Sequence, residues 1–541
     1  MSKKISSLFS TLLSSAVVIA AVNVVYVLTQ NGYDLSLGPL HLEAHGLFKP
    51  LLILNGVFIL SFLLREPREI LPAASTLTGR APIAVVAILV VVVFGFSFTV
   101  NPLYDEWNYR ALSSGLKTIG DLGRLFTSPQ FSAWYRPLGF LSLWVDYHLF
   151  HEHLWGYHLQ NACLHAVNAL LAFNLSRRFG MSAAVAPWAA LLYLTAAVTY
   201  EPVMWPSARF DLLAMMFTGL SLIAFADFLS HGSPPKLALA LGWYSLAVLS
   251  KESGYALPVL AAVLAFDWAM NARTSASQTK GRIVALAVGL VSATGLLVAI
   301  RLAVIGGLGG YLGTGGVGSP HLAFSLASVR AIVTRVMPMS LLSVNLNYPV
   351  PRIVAAAIGA FALLLAAGAV TGASTTPRQR ILTIYALGSA IPVATIVSSV
   401  DLSAQQVRYL YMPAFFVMIL VTAVLSNTRW PAVLLSALAF LNLWCGAYNI
   451  WVYKVTYRHA DELAGRIALD YSRWRGPAHV TLIDMPAEFN GVLFSRFQLQ
   501  YRLEEQLPNV KVDFKKDEEC ADQLCYIWQA DQRKLVQSTR K

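Results

Sequence analysis

Residues 81–100, APIAVVAILVVVVFGFSFTV, run directly into NPLYDEWNYR at 101–110, and this junction decides how the chain is read. An uninterrupted apolar run of about twenty residues is the length that crosses the hydrocarbon of a bilayer as a helix. Asp105 and Glu106 therefore stand where a span emerges into water. Paired carboxylates at that level either solvate a loop or take part in chemistry, and the other ionisable groups of the chain decide between the two.

Similar runs recur along the whole sequence. Of its 541 residues, 56% are hydrophobic and only 13% charged, which excludes a soluble domain. Backbone groups find no water inside lipid, so the expected class is an all-α polytopic membrane bundle. The runs are continuous rather than alternating, which excludes a β-barrel. The formal charge of +12 is dispersed over loops. That distribution suits anionic headgroups and topology signals, not nucleic acid.

By length, the expected spans are 8–29, 50–64, 81–100, 157–176, 183–200, 207–230, 236–250, 254–270, 282–305, 352–372, 381–399, 408–426 and 430–452, about thirteen in all. Lys3/Lys4, Arg65/Arg68/Arg80, Arg177/Arg178, Arg273/Lys280/Arg282, Arg378/Arg380 and Arg429 then fall on one side, the cytoplasm by the positive-inside rule. The N-terminal run 8–28 reads as a retained span, being too long for a signal-peptide core. Residues 137–150 and 323–346 read as interfacial helices. The Gly-rich loop 306–318 lacks the Gly-Lys-Ser/Thr ending of a phosphate-binding loop and reads as a connection.

The expected organisation is a membrane domain over 1–455, with extracytoplasmic loops at 101–156 and 306–351. A small extracytoplasmic α/β or α+β domain follows over 456–541. Cys163 and Cys445 fall in apolar runs, whereas Cys520 and Cys525 can pair locally in an oxidising compartment.

On this topology the unusual polar residues gather on the extracytoplasmic face: Asp105, Glu106, Arg136, His158, Glu201, Arg209, Asp211, Lys251, Glu252, Arg408, Tyr409 and Tyr411. Acids facing several cations suit a substrate with a leaving phosphate and a hydroxyl to activate. The bland reading stays open beside it: Arg209 with Asp211, and Lys251 with Glu252, would pair locally at helix ends, and Arg408 would snorkel. His158, His165 and Asn168 would hydrogen-bond between helices. His148, His151, His153 and His158 match no closed zinc spacing.

Several strings carry a resemblance. Tyr-Arg-Pro-Leu (135–138) is followed by WGYHLQNACLHAVN (155–168), ARFDLL (208–213), KESG (251–254) and QVRYLYMP (406–413). In this order they resemble the GT-C glycosyltransferases, in particular the protein O-mannosyltransferases that carry tetratricopeptide arrays and their bacterial relatives. ARFDLL is similar to that family's Gly-Arg-Ala-Asp/Glu-Leu-Leu, KESG to its Lys-Glu-x-Gly, and QVRYLYMP to its Glu-Arg-x-Leu-Tyr-Leu-Pro. Gln406 stands where the family has an acid and Phe210 where it has a small residue. Residues 456–541 do not read as a tetratricopeptide array.

The resemblance implies a GT-C-like bundle in a bacterial inner membrane, with the N-terminus cytoplasmic and both the site and the C-terminus periplasmic. It implies transfer of a sugar from a polyprenyl-phosphate donor to an acceptor hydroxyl on a protein, glycan or lipid. Asp105 would be the general base, with Glu106 positioning it. Arg408, Arg209, Lys251 and Arg136 would bind the donor phosphate. His158, Glu201, Asp211, Glu252, Tyr409 and Tyr411 would line the cavity. No cofactor or metal is expected. The alternatives are a lipid or polysaccharide transporter and a ligase of lipid-linked glycans.

Overall fold

The structure is a computed structural model that describes residues 33–37, 40–44, 94–95, 104–130, 134–151, 153–271, 275–306, 325–343, 377–397, 407–428, 430–473, 479–486, 488–490, 492–494, 498–516, 525–529 and 534–537. A hairpin of β1 (Tyr33–Leu37) and β2 (Leu40–Ala44) comes first. The helices follow as α1 (Tyr104–Gly115), α2 (Ile119–Thr127), α3 (Pro137–Phe150), α4 (Leu154–Arg178), α5 (Ala186–Thr195), α6 (Tyr200–Met204), α7 (Arg209–His231) and α8 (Pro234–Ser250). Beyond them come α9 (Leu257–Asn271), α10 (Ala276–Ile305), α11 (Leu326–Ala331), α12 (Met337–Leu341), α13 (Pro377–Val397), α14 (Tyr411–Leu425) and α15 (Pro431–Arg473).

Five helical segments among the described residues are long and apolar enough to cross a membrane: Pro206–His231, Glu252–Asn271, Ala276–Ile305, Val407–Leu425 and Pro431–Arg473. The chain is an integral membrane protein of helical class. The count of thirteen is not reached among the described residues. The runs read at 8–29, 50–64 and 352–372, and nearly all of 81–100, lie outside them. The run read at 157–176 is a 25-residue helix, but His158, Asn161, His165 and Asn168 on its buried side lower its apolarity.

The buried α7 packs against α4 and α8 and sets the long axis of the bundle. Its far end closes at Gly232, whose φ of 71° is left-handed, as a C-terminal cap requires. There Arg282 donates to the carbonyls of Leu229 (2.6 Å) and Ser230 (2.8 Å), and Arg178 pairs with Asp227. Two of the arginines read as cytoplasmic thus meet at one end of α7. The 23 residues of this helix span roughly 33 Å, close to the hydrocarbon thickness of about 30 Å, so its Arg209 end lies about one bilayer core away from them.

The helix at 137–150 forms as expected but is not simply amphipathic. Asp146 points inward, fully buried, while His148 is exposed. Residues 104–150 build their own small core from Tyr109, Leu116, Leu125, Phe140 and Leu143, closed by Tyr157 and Phe210. Tyr109, Phe140 and Phe210 meet ring to ring at 5.1–5.9 Å. Gly139 makes this approach possible, because a Cβ there would lie 2.0 Å from the Phe210 ring. A large residue where the resembled motif has a small one is thus matched by a missing side chain across the interface.

α15 runs 43 residues, roughly 65 Å. Five residues separate it from the end of α14, a connection short enough for antiparallel neighbours, and Asn442 of α15 accepts from Ala197 N (2.9 Å). Its first part packs in the bundle core through Leu435, Leu438 and Tyr453. Its last part supplies Ala460, Leu463, Ala464 and Ile467 to a second core. That core belongs to a sheet of β3 (His479–Ile483), β6 (Lys511–Lys515), β7 (Cys525–Gln529) and β8 (Lys534–Gln537), in the order β6-β3-β7-β8. β3 is parallel to β6 and β7, and β8 is antiparallel to β7. A short hairpin of β4 (Glu488–Phe489) and β5 (Val492–Leu493), then α16 (Gln500–Gln506), connect β3 to β6. Asn490 donates to Thr456 of α15 (3.2 Å), tying the hairpin to the rod.

Cys163 and Cys445 are free, and Cys525 is disulfide-bonded. Cys520, its expected partner, lies outside the described residues. Thiol labelling of denatured, unreduced protein is expected to mark Cys163 and Cys445, with Cys525 reacting only after reduction; peptide mass spectrometry reads each site.

Candidate functional site

The cleft forms where four chain breaks coincide: the end of α8, the α6–α7 turn, the start of α3 and the turn before α14. Helix ends leave backbone groups unpaired, so charged side chains are tolerated there. A small hollow is lined by Tyr109, Trp134, Arg136, Trp205, Ser207, Ala208, Phe210, Asp211, Lys251 and Arg408. Arg136, Lys251 and Arg408 come from stretches more than a hundred residues apart.

Each cation has a carboxylate partner and at least one aromatic face. Lys251 Nζ lies 2.6 Å from both oxygens of Asp211 and 4.9 Å from the Tyr409 ring centre. Arg408 donates through its backbone N–H (2.8 Å) and Nη1 (2.7 Å) to Glu201, and its guanidinium covers Trp205 at 4.4 Å and Tyr409 at 4.9 Å. Arg136 reaches Glu252 at 2.8 Å and lies over Trp134 and Phe210. Arg301 of α10 holds the other oxygen of Glu252 at 2.8 Å. Such pairing keeps the guanidiniums charged and aimed. Glu201 is buried, and burial pushes its carboxyl up to about 7 despite the opposing pull of Arg408.

These partners replace the local pairs of the bland reading. Asp211 serves Lys251 and not Arg209; Glu252 serves Arg136 and Arg301 and not Lys251. The Lys-Glu-x-Gly string gains a reason for its glycine, since a Cβ on Gly254 would lie 2.7 Å from the backbone of Ala247. With that approach, Lys251 and Glu252 leave the end of α8 in different directions.

Arg209 does not line the cleft. It is fully buried and pairs with Asp146. It also donates to Asn161 (2.7 Å), Gln160 (3.0 Å) and the Tyr157 carbonyl (2.8 Å). Its donors are engaged by residues of α3 and α4, so it stands apart from the cations that line the cleft. His158 is buried on α4 and Tyr411 bonds His165 (2.8 Å) and Asn168 (3.1 Å), both outside the cleft lining. Tyr409, Glu201 and Glu252 stand immediately behind it.

Asp105 and Glu106 lie on the first turn of α1, one turn before Tyr109 of the cleft wall. Their side chains lie outside what is described. A second small hollow, lined by Tyr109, Arg110, Ser113, Tyr157 and Ser207 among others, abuts the first. No group of three potential ligands close enough to hold a metal ion, the four histidines included, occurs among the described residues.

Sequence reading missed Arg301, Trp134, Trp205 and Ser207. An arginine inside a run otherwise read as a span was a usable signal for the first. The other three looked like belt aromatics and a turn serine.

No family model matches the chain, and no curated protein matches it. Two solved structures are similar in arrangement. ArnT from Cupriavidus metallidurans in the apo state shares 14% identity at a TM-score of 0.32, over 80% of this chain and 89% of that one. The same protein bound to undecaprenyl phosphate shares 13% at 0.31, over 84% and 94%. Both TM-scores lie below 0.5, and neither neighbour's ligand is carried over to this chain.

Proposed function

We propose that this protein is a membrane glycosyltransferase that takes a sugar from a polyprenyl-phosphate donor and passes it to an acceptor hydroxyl on the extracytoplasmic face. The observation that carries the reading is the convergence of Arg136, Lys251 and Arg408 on one aromatic-walled cleft at a membrane surface. Its position at the opposite end of α7 from Arg178 and Arg282 supports the extracytoplasmic side. The short connection from α14 to α15 supports an extracytoplasmic C-terminal domain, since antiparallel neighbours bring α15 back toward the same end.

In this reading Asp105 accepts the proton of the acceptor hydroxyl, with Glu106 orienting it. The hydroxyl oxygen attacks the anomeric carbon from the face opposite the phosphate, giving inversion. As the new C–O bond forms, the bond from the anomeric carbon to the phosphate oxygen breaks, and polyprenyl phosphate leaves with the electron pair. Negative charge grows on that phosphate, so cations fixed by Glu201, Asp211 and Glu252 stabilise the transition state more than the bound donor. The carboxylates offset the mutual repulsion of the cations when the site is empty.

The test is to incubate purified full-length protein with a panel of polyprenyl-monophosphate sugars and lipid-diphosphate glycans, and to follow sugar release or transfer. Turnover of a monophosphate donor is expected. Turnover of diphosphate glycans alone would favour the ligase reading. Vesicle transport with no bond cleavage would favour the transporter.

A further inference from the structure

We infer that Trp205 and Ser207 recognise the uncharged oxygens of the group attached to the donor phosphate, which makes them specificity residues of the cleft; this rests on the glycosyl-transfer reading above. Both residues line the cleft, and both are more than nine-tenths buried, Trp205 at 4% and Ser207 at 6% exposure. Neither the indole Nε1 nor the serine Oγ has a hydrogen-bond partner. Native proteins seldom keep a buried donor without a use for it.

The surrounding turn is held by several backbone hydrogen bonds. The Trp205 N–H donates to Glu201 O (2.9 Å). The Trp205 carbonyl accepts from Ala208 N (2.9 Å) and from Asn161 Nδ2 (3.0 Å). Asn161 also donates to Pro202 O (3.0 Å) and is itself held by Arg209. Arg408 covers the face of Trp205 at 4.4 Å, leaving the indole N–H edge as its unused polar group. These bonds fix the turn on both sides of Trp205 and leave its two side-chain donors in reserve.

The chemistry of these donors selects their partner. The three cations beside them answer a phosphate; an indole N–H and a hydroxyl answer neutral acceptors such as hydroxyl or ring oxygens. A site with donors committed in this way discriminates against an analogue that cannot accept from them. Ser207 and Tyr109 line both hollows, so a group bound at Ser207 sits at the partition between the two.

The experiment compares two probes, a polyprenyl monophosphate and the same lipid phosphate carrying a monosaccharide, on full-length wild type, Trp205→Phe and Ser207→Ala in lipid nanodiscs. Phenylalanine keeps a ring beneath Arg408 while removing the N–H, at the cost of a smaller ring in a buried position. Wild type is expected to bind both probes and to prefer the sugar-bearing one. Each variant should lose roughly three- to tenfold of that preference, Ser207→Ala with affinity for the bare phosphate unchanged. Ser207→Ala should melt as wild type, because no hydrogen bond is removed, whereas Trp205→Phe should melt somewhat lower for its smaller ring. Preference unchanged in both variants would overturn the inference and leave water as the donors' partner. A fall in melting temperature with both probes weakened alike would also overturn it, as a structural role. A wild type that binds neither probe brings down the glycosyl-transfer reading itself, and this inference with it.

Discussion

Asp105→Asn is expected to lower the rate of sugar transfer by about 10²- to 10⁴-fold, the usual contribution of a positioned general base. Insertion and melting temperature should stay at wild-type values. Asparagine matches aspartate in shape but cannot take up the acceptor proton. The case for position 105 rests on what the neighbouring carboxylates already do. Asp211 gives both oxygens to Lys251, Glu201 gives both to Arg408, and Glu252 is divided between Arg136 and Arg301. With both oxygens engaged by donors, each of these carboxylates is poorly placed to take the proton of an acceptor hydroxyl. The acidic pair opens a helix whose next turn, Tyr109, forms the cleft wall, and the Tyr109–Phe140–Phe210 cluster fixes that helix against α7. Glu106→Gln should cost less than Asp105→Asn if Glu106 only orients. Initial rates with a saturating donor measure both, and wild-type turnover in Asp105→Asn would move the base elsewhere.

How far the site could be read from sequence depends on which property of a residue was asked for. That Arg136, Asp211, Lys251 and Arg408 belong together was legible, because charges at span ends are few and share one side of the expected topology. Their partners were not. Neighbours in sequence offered plausible pairs, and the choice of Glu252 for Arg136, 116 residues away, is made by packing alone. Arg209 shows the same limit from the other direction. Its position beside Asp211 puts it next to the cleft in sequence, but the start of a helix sends successive side chains to different faces. One residue then enters the α3–α4 interface and another the cleft. Trp205 and Ser207 stood out only once hydrogen-bond partners could be counted. The helical class of the bundle followed from apolar length. The crossing count reaches five among the described residues, because the runs at 8–29, 50–64 and 352–372 lie outside them and α4 buries His and Asn residues that dilute its hydropathy.

Arg408→Met carries the largest expected effect on stability, about 3–5 kcal/mol, because it strands Glu201 as a buried acid without its guanidinium. Adding Glu201→Gln to that variant should recover most of the loss, since a neutral amide still accepts from the Arg408-position backbone N–H and carries no charge to compensate. Turnover should stay down by about 10²- to 10³-fold in both, because the cation facing the leaving phosphate is absent. Recovery of folding without recovery of rate separates the two roles of the arginine, and recovery of both would remove Arg408 from the reaction. A pH series gives an independent reading. Burial raises the Glu201 carboxyl from an ordinary value of 4.5 to about 7, so between these values the folded protein holds a proton that the unfolded chain has released. Glu201 therefore contributes stability that is fully present below about 4.5 and lost as pH rises through about 7. Wild type should show that decline in its melting temperature across the window, and Glu201→Gln, which has nothing to titrate there, should lack it. Parallel melting curves for the two proteins from pH 4.5 to 8 would mean that Glu201 is not the buried acid that Arg408 is held by.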